Sequence, residues 1–545
     1  MPEQDSHLIL AQEYFDDLAR RFPVMCASDE FHFLPRAQAA AEYYDRLDDL
    51  DGSAIEECVG RLKSFEQKLA LLTAGEKDLE TLIDLDLLTA NIAGILIELE
   101  QNKSWRHNPL LYLKIVFIGI DHALTKPAAD SRERIHRTLK RISAIPKLLN
   151  QAMNNIDGVP ETYLQASRAM LHDGKQYFVK TVDDFCKQHP DLFSEGFQKA
   201  LTALNDFDKY LKNIPPVPDR MFAVTSLEAS LKNHFLSVLS LDEVFQIAVD
   251  EWQENLNQLE KLQSKIDPRE SWQNLYHDFC PDIEKIDTFS LYRRETELLR
   301  RFFRDHGFRE EDLGASLEIT ATPYYLKSVR SAASFGAAFS SDAREKSFFY
   351  ITTRFPRHES SSHEDDLLRK RLHREYKFLT AHETIPGHHL LDSIRRRLEN
   401  PVRRQIESPL FYEGWAYYAE SLLTEHGYVQ NPMEYLVDYK RRLWRSARCQ
   451  IDVGLHAGFL TLADAVELLT TGGFSREEAQ RQIYRFQLNP GYQLCYSLGR
   501  YEIMRLKKAY ENRMGSEQFH AFLLEGGELP FHWIEKRFQA LNKES

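Results

Sequence analysis

The sequence predicts a mainly α protein: a large helical protein with one small β-sheet beside a histidine-rich helix. Three observations lead there. Apolar residues recur at every third or fourth position through most of the chain, the period of one buried helix face. Alternating, β-branched and aromatic patterns are confined to two short segments, 316–322 and 347–353. The chain has 545 residues, 43% of them hydrophobic and 12% aromatic, which is enough to bury a large core in two or more lobes.

The elements follow in order. Helical spacing runs through 60–74, 84–100 and 160–212, and "NIPPVPDR" at 213–220 reads as a turn-rich link between helices. Ser240-Leu241-Asp242-Glu243 has the S-x-x-E form of a capping box. Phe245, Val249, Trp252, Leu256 and Leu259 then form an apolar stripe, and Asp267-Pro268 closes that helix. "SLEITAT" at 316–322 alternates apolar Leu317, Ile319 and Ala321 with polar neighbours, and "SFFYITT" at 347–353 is aromatic and β-branched; both are expected strands. "RHESSSHEDD" at 357–366 is polar and reads as a loop, with Ser362 and Asp365 spaced to cap the helix that begins "DLLRKRL". No repeat of fixed period is present. The expected organisation is a helical N-terminal lobe over 1–300 and a lobe over 301–545 carrying the sheet and the chemistry, the boundary being approximate.

Charge and composition exclude some functions. The formal net charge is -14, from 83 acidic and 69 basic residues. Bulk charge therefore does not favour nucleic acid or an anionic membrane, and neither is an expected partner. Cysteines 26, 58, 186, 280, 449 and 495 lie far apart with no C-x-x-C pair, which argues against a zinc ribbon or a disulfide framework and fits a reducing compartment. The first residues show no basic and apolar leader pattern. The most apolar stretch, 110–120, contains Lys114 and is shorter than the roughly 20 residues needed to span a bilayer. A cytoplasmic location is expected.

The chemistry centres on His382-Glu383-Thr384-Ile385-Pro386-Gly387-His388-His389. In H-E-x-x-H, two histidines four apart on one helical face grip a zinc ion, with the glutamate aimed at its water. Here Pro386 stands where the second histidine belongs, so a straight helix cannot continue past it. On an ideal helix His382 and His389 share a face but lie about 10.5 Å apart, and His382 and His388 point about 120° apart. A kink at Pro-Gly brings either histidine back, and spacing alone does not choose between them. A second segment, "FYEGWAYYAE" at 411–420, places Glu413 and Glu420 on one helical face. Its E-G-W-A is similar to the segment that supplies the third zinc ligand in the aminopeptidase branch of the gluzincins. Two histidines and one glutamate make the count a catalytic zinc site needs, leaving a position open.

"HETIPGHHL", "FYEGWAYYAESL", "ARCQIDVGLHAG", "NPGYQLCYSLGRYEI" and "FLLEGGELP" occur in an order that resembles a large bacterial family, domain of unknown function 885. "PVMCASDEFHFLPRA" resembles its N-terminal region, so the likeness extends over nearly the whole chain. One departure is Tyr492, where the family has the glutamine of P-G-Q; here glutamine comes one place later, at Gln493. The resemblance implies a zincin-like lobe that binds one Zn2+ through His382, His388 and Glu413, His388 being the histidine directly after Pro-Gly. It implies Glu383 as general base and Tyr496 as oxyanion donor. His389, Arg448 and His456 are candidates for substrate binding, although Arg448 and Asp452 are also spaced for a plain intrahelical ion pair. The expected substrate is a peptide. A small non-peptide amide would use the same residues, and a non-catalytic metal-containing protein is the reading from another class.

Overall fold

The computed structural model describes residues 6–219, 224–283, 286–313, 317–340, 342–354 and 362–544. It is 72% helical and 3% strand, a mainly α architecture with small sheets. The helices that bear on the site are α1 (Leu241–Ile266), α2 (Thr288–Arg304), α3 (Tyr376–Glu383), α4 (His388–Arg395), α5 (Pro409–Glu425), α6 (Pro432–Ala457) and α7 (Leu494–Met514). The strands beside them are β1 (Leu317–Ala321), β2 (Ala333–Gly336) and β3 (Ser347–Ile351).

Local chemistry sets the ends of these helices. At the start of α1 the Ser240 side chain accepts from the Glu243 backbone while the Glu243 carboxylate accepts from the Ser240 backbone. Proline occupies the first turn of both α5 and α6, where its missing N–H costs nothing. Helix α6 stops at Gly458, whose φ of 76° is left-handed. Along α1 the buried line is Leu241, Val244, Ala248, Trp252, Asn255 and Leu259. Phe245, Val249 and Leu256 of the expected stripe are only half-buried flanks of it. The stripe sits one position round because α1 lies along α6, and that neighbour decides which face is covered.

The two expected strands are present, and a third, β2, runs antiparallel to β3 with Phe335 opposite Phe349. Strand order is β1-β3-β2, with β1 parallel to β3 and Ile319 opposite Phe349. Ile319, Phe349 and Ile351 are buried with Leu291 and Tyr292 of α2 and with Leu368 and Leu372 of the helix Ser362–Arg374, so one sheet face is sealed by helices. That helix begins at Ser362; its expected cap side chain and most of the polar stretch before it lie outside the described residues. The link at 213–220 contributes Pro216–Val217, which pairs in parallel with Val159–Pro160. The principal core is continuous from Leu10 to Phe538. Among the described residues no helix is long and apolar enough to cross a membrane. All six cysteines are free, and only Cys280 is exposed.

Candidate metal centre

Helix α3 ends at Glu383 and α4 begins at His388. The four residues between carry the break that Pro386 imposes, and the Ile385–Pro386 peptide is cis. Gly387 is required there on steric grounds: a Cβ would stand 1.9 Å from the His382 carbonyl oxygen. The break is stapled on both sides. Thr384 N–H donates to Thr380 O, Leu390 N–H reaches back to Thr384 O, and the Trp415 indole donates to Pro386 O at 2.9 Å. Trp415 is thus a core aromatic and also the clamp on the kink.

With the helix broken, the His382 and His388 rings lie 4.7 Å apart and nearly perpendicular. Helix α5 supplies Glu413 to the same place. Its Oε2 is 3.5 Å from His382 Nε2 and 3.5 Å from His388 Nε2. One donor atom from each of the three residues falls within 4.8 Å of the others, all buried. Glu413 Oε2 receives no hydrogen bond, whereas Oε1 receives two, from Tyr492 at 2.5 Å and Tyr496 at 2.8 Å. A buried carboxylate oxygen with no donor, facing two imidazole nitrogens, is a fit for a divalent cation, and two histidines with one carboxylate suit zinc. His382, His388 and Glu413 can therefore hold a metal ion; which ion is not fixed by this geometry.

The surroundings orient these groups. His382 Nδ1 lies 2.9 Å from Glu420 Oε1, which puts the ring proton on Nδ1 and turns Nε2 toward Glu413. Glu420 is in turn gripped by Arg441 through two bonds of 2.9 Å and by Arg445. Arg441 continues to Glu375, which also accepts from the Tyr276 hydroxyl. Burial opposes charge on Glu420, but Arg441 and Arg445 outweigh it and hold its carboxyl well below the usual range. The His388 ring stacks on Tyr412 with centroids 3.8 Å apart.

Glu383 stands beside the cluster, buried, with Oε2 accepting from the Phe335 backbone N–H of β2 at 2.7 Å. Burial, reinforced by Glu413, pushes its carboxyl up to about 7 despite the opposing pull of His382. Burial works against a charged His382, yet Glu413 and Glu420 together raise it to about 9; His388, where burial dominates, is pushed down to about 4. Burial and Glu413 push Tyr496 far above its ordinary value, so its hydroxyl keeps its proton.

The other candidates are placed as follows. Tyr496 touches Glu413 and not an open position in this structure. The His389 ring packs against Phe335 at 5.8 Å and lines a cavity of about 590 Å³ between α2 and β1 whose lining does not include Glu413. The Arg448–Asp452 ion pair that the spacing allowed is not made. Arg448 donates to Gln493 Oε1 at 2.8 Å and lies 4.1 Å over the Tyr496 ring. Asp452 accepts instead from the backbone N–H groups of Gly491, Gln493 and Leu494, tying down the turn before α7. His456 stays beside Asp452, its Nδ1 2.6 Å from that residue's carbonyl oxygen. Tyr492 was not among the expected site residues. The one signal for it was its standing at the departure from the family pattern.

Helices α5 and α7 meet backbone to backbone. A Cβ on Gly414 would lie 2.5 Å from Gly499 Cα, and one on Gly499 would lie 2.1 Å from the Leu410 carbonyl oxygen. This crossing brings the two tyrosines of one segment onto the glutamate of the other.

A family model described as "Bacterial protein of unknown function (DUF885)" matches residues 35–538. No curated protein matches the sequence. Two solved structures are similar in fold. A candidate lipoprotein of unknown function from Shewanella oneidensis has a TM-score of 0.74 at 19% identity, with 98% of this chain and 100% of that one covered. A candidate lipoprotein from Colwellia psychrerythraea has a TM-score of 0.78 at 16% identity, with 100% of each chain covered.

Proposed function

The chain belongs to that bacterial family of unknown function, and from the site itself we propose that it is a zinc-dependent peptidase in which Glu383 is the general base. The observation that carries the reading is the buried trio His382, His388 and Glu413 with a carboxylate of raised pKa beside it. A purely structural metal site has no need of that extra carboxylate. A zinc ion bound there supplies a Lewis acid for the scissile carbonyl and an acidified water. The Glu383 carboxylate takes the water's proton and passes it to the leaving amine, and its bond to the β2 backbone holds it in place for both transfers. Tyr492 alone can keep Glu413 Oε1 satisfied, which frees the Tyr496 hydroxyl to turn toward the developing oxyanion. The outer edge of β2 faces the same site, since its Phe335 N–H points to Glu383, so an extended peptide can align along it. Strand β3 offers no such edge, because it is the central strand of the sheet. We place the protein in the cytoplasm on its six free thiols; recovery of the protein in a membrane or exported fraction would remove that assignment.

The test joins metal analysis of the purified protein to a peptide-library screen with and without chelator. Glu383→Gln should keep the metal and the fold but lower turnover by roughly 10²–10⁴-fold. His382→Ala should lose metal and turnover together. Full turnover by the glutamine variant, on a peptide that the wild type cleaves in a chelator-sensitive way, would falsify the mechanism. Metal bound with no peptide cleaved would favour a non-peptide amide or a non-catalytic role.

A further inference from the structure

The two histidine ligands are held in different ways. His382 has a carboxylate on its far nitrogen, Glu420, and that bond turns the ring. His388 has nothing of the kind: its Nδ1 is buried, and no described residue accepts from it. What lies flat against the His388 ring is Tyr412, 3.8 Å away between centroids and inclined by 16°, with Phe335 more distant at 6.4 Å. Stacking of this kind fixes the plane of an imidazole, and with it the direction in which Nε2 points toward Glu413. Tyr412 in turn has the Arg36 guanidinium 5.8 Å over its ring. Glu413 has a similar chain of neighbours. Its Oε1 accepts from Tyr492, and the Tyr492 ring lies against His32, 4.5 Å away between centroids and inclined by 31°.

His32 and Arg36 belong to one irregular segment, 29–36, far in sequence from all three ligands. Both ends of it are anchored. Asp29 and Glu30 pair with Arg330, which precedes β2. Arg36 pairs with Asp392 of α4 at 2.9 Å and with Glu407, just before α5, and His32 Nδ1 lies 3.8 Å from the same Glu407. One short segment is thus tied to the helices that carry His388 and Glu413. We propose that His32 and Arg36 are positioning residues for the metal centre, each acting through one tyrosine, a role that rests on the metal trio above and needs no peptide to be cleaved. Arg36 acts through Tyr412 on His388, and His32 acts through Tyr492 on Glu413.

The test compares ring-keeping with ring-removing variants of the purified full chain: Tyr412→Phe with Tyr412→Leu, and His32→Phe with His32→Leu. Zinc affinity is measured by competition with a chromophoric chelator, and stability by denaturant melts. The phenylalanine variants should bind zinc within about twofold of wild type and the leucine variants about 5–10-fold more weakly, the worth of one aromatic pair. Double-mutant cycles show what acts through what. Arg36→Gln should weaken zinc about 2–5-fold alone and add nothing once Tyr412 is leucine. Should that variant not fold, Arg36→Lys, which keeps the ion pairs and gives up the flat cation, takes its place. His32→Leu should add nothing once Tyr492→Phe has removed the hydroxyl that reaches Glu413. Leucine variants that lose stability yet bind zinc as wild type does, or cycles in which the losses simply add, overturn the proposal, since packing alone predicts both. Equal loss in Tyr412→Phe and Tyr412→Leu assigns the effect to the hydroxyl and overturns the Tyr412 relay. A metal-free crystal structure of Tyr412→Leu needs neither ion nor substrate: the His388 ring should leave the plane it holds here, and a ring still in that plane overturns the relay. If wild type binds no divalent ion, the metal reading fails and this structure alone decides. If no peptide is cleaved but the affinities fall as expected, the peptidase reading fails and the positioning stands.

Discussion

Glu420 shows how much of this site depends on single residues that touch neither ion nor substrate. Its carboxylate sits between the His382 ring and two arginines. Removing its charge leaves Arg441 and Arg445 without their shared partner and leaves the Nδ1 proton of His382 less firmly directed. Glu420→Gln should therefore weaken metal affinity by about 10–100-fold, measured by competition with a chromophoric chelator, while far-ultraviolet circular dichroism stays unchanged. An affinity equal to wild type would show that the ring is oriented by its packing alone. At this scale residue type and spacing pointed to a histidine pair and a glutamate, and the family resemblance named His382, His388 and Glu413, which the structure brings together. Between His388 and His389, spacing was silent, since the outcome depends on backbone angles at Pro386 and Gly387. Tyr492 and Gln493 were illegible for a different reason. Tyrosine and glutamine are common core and surface residues, and only the turn tied down by Asp452 reveals that one meets Glu413 and the other Arg448.

At the scale of elements, the broken helix is the device that makes the site. The break itself follows from proline chemistry, but its geometry rests on Gly387 and on the Trp415 clamp from α5. Gly387→Ala forces a methyl group into the His382 carbonyl and cannot be accommodated by a side-chain shift, because the obstructing atoms are backbone. It should cost about 1–3 kcal/mol of stability, as overpacking does, and release the metal as His388 swings away. Denaturant melts with and without zinc would check this: the stabilisation that zinc gives to wild type should be missing from the variant. Strand β2 was missed because four residues, "ASFG", carry too little alternation to stand out; its place is set by pairing with β3 and by the bond from Phe335 to Glu383.

At the scale of the molecule, the first forty residues reach the helices that build the metal centre. Arg36 is buried between Asp392 of α4, at 2.9 Å, and Glu407, and its guanidinium lies 5.8 Å over the Tyr412 ring that stacks on His388. Arg36→Ala leaves the buried Glu407 without its arginine, while Asp392 keeps Arg395, and should destabilise the protein by about 3–5 kcal/mol, read as a lower denaturant midpoint. His520 adds an acid sensitivity. Packed on Phe308 at 4.9 Å and bonded to the Tyr418 hydroxyl, it is held by burial at about 3. Below about pH 6.5 the unfolded chain gains a proton there that the folded chain does not, so stability falls as pH drops toward 3. His520→Asn should flatten that part of the pH–stability curve; an unchanged slope would place the acid sensitivity elsewhere. Contacts such as that of Arg36 with Asp392 join residues hundreds of positions apart, and no local pattern announces them.

The crossing of α5 over α7 at Gly414 and Gly499 has a consequence for how the site opens. Backbones in direct contact leave no side-chain layer that can slide or thin by degrees, so the ligand helix and the tyrosine helix separate together or not at all. Amide protons flanking the crossing, at 411–418 and 495–502, should then trade for deuterium only through the rare event that unlocks the whole core. Their exchange should be slow and uniform on both helices, quickened in common by denaturant, while the segment between α3 and α4 exchanges on its own faster clock.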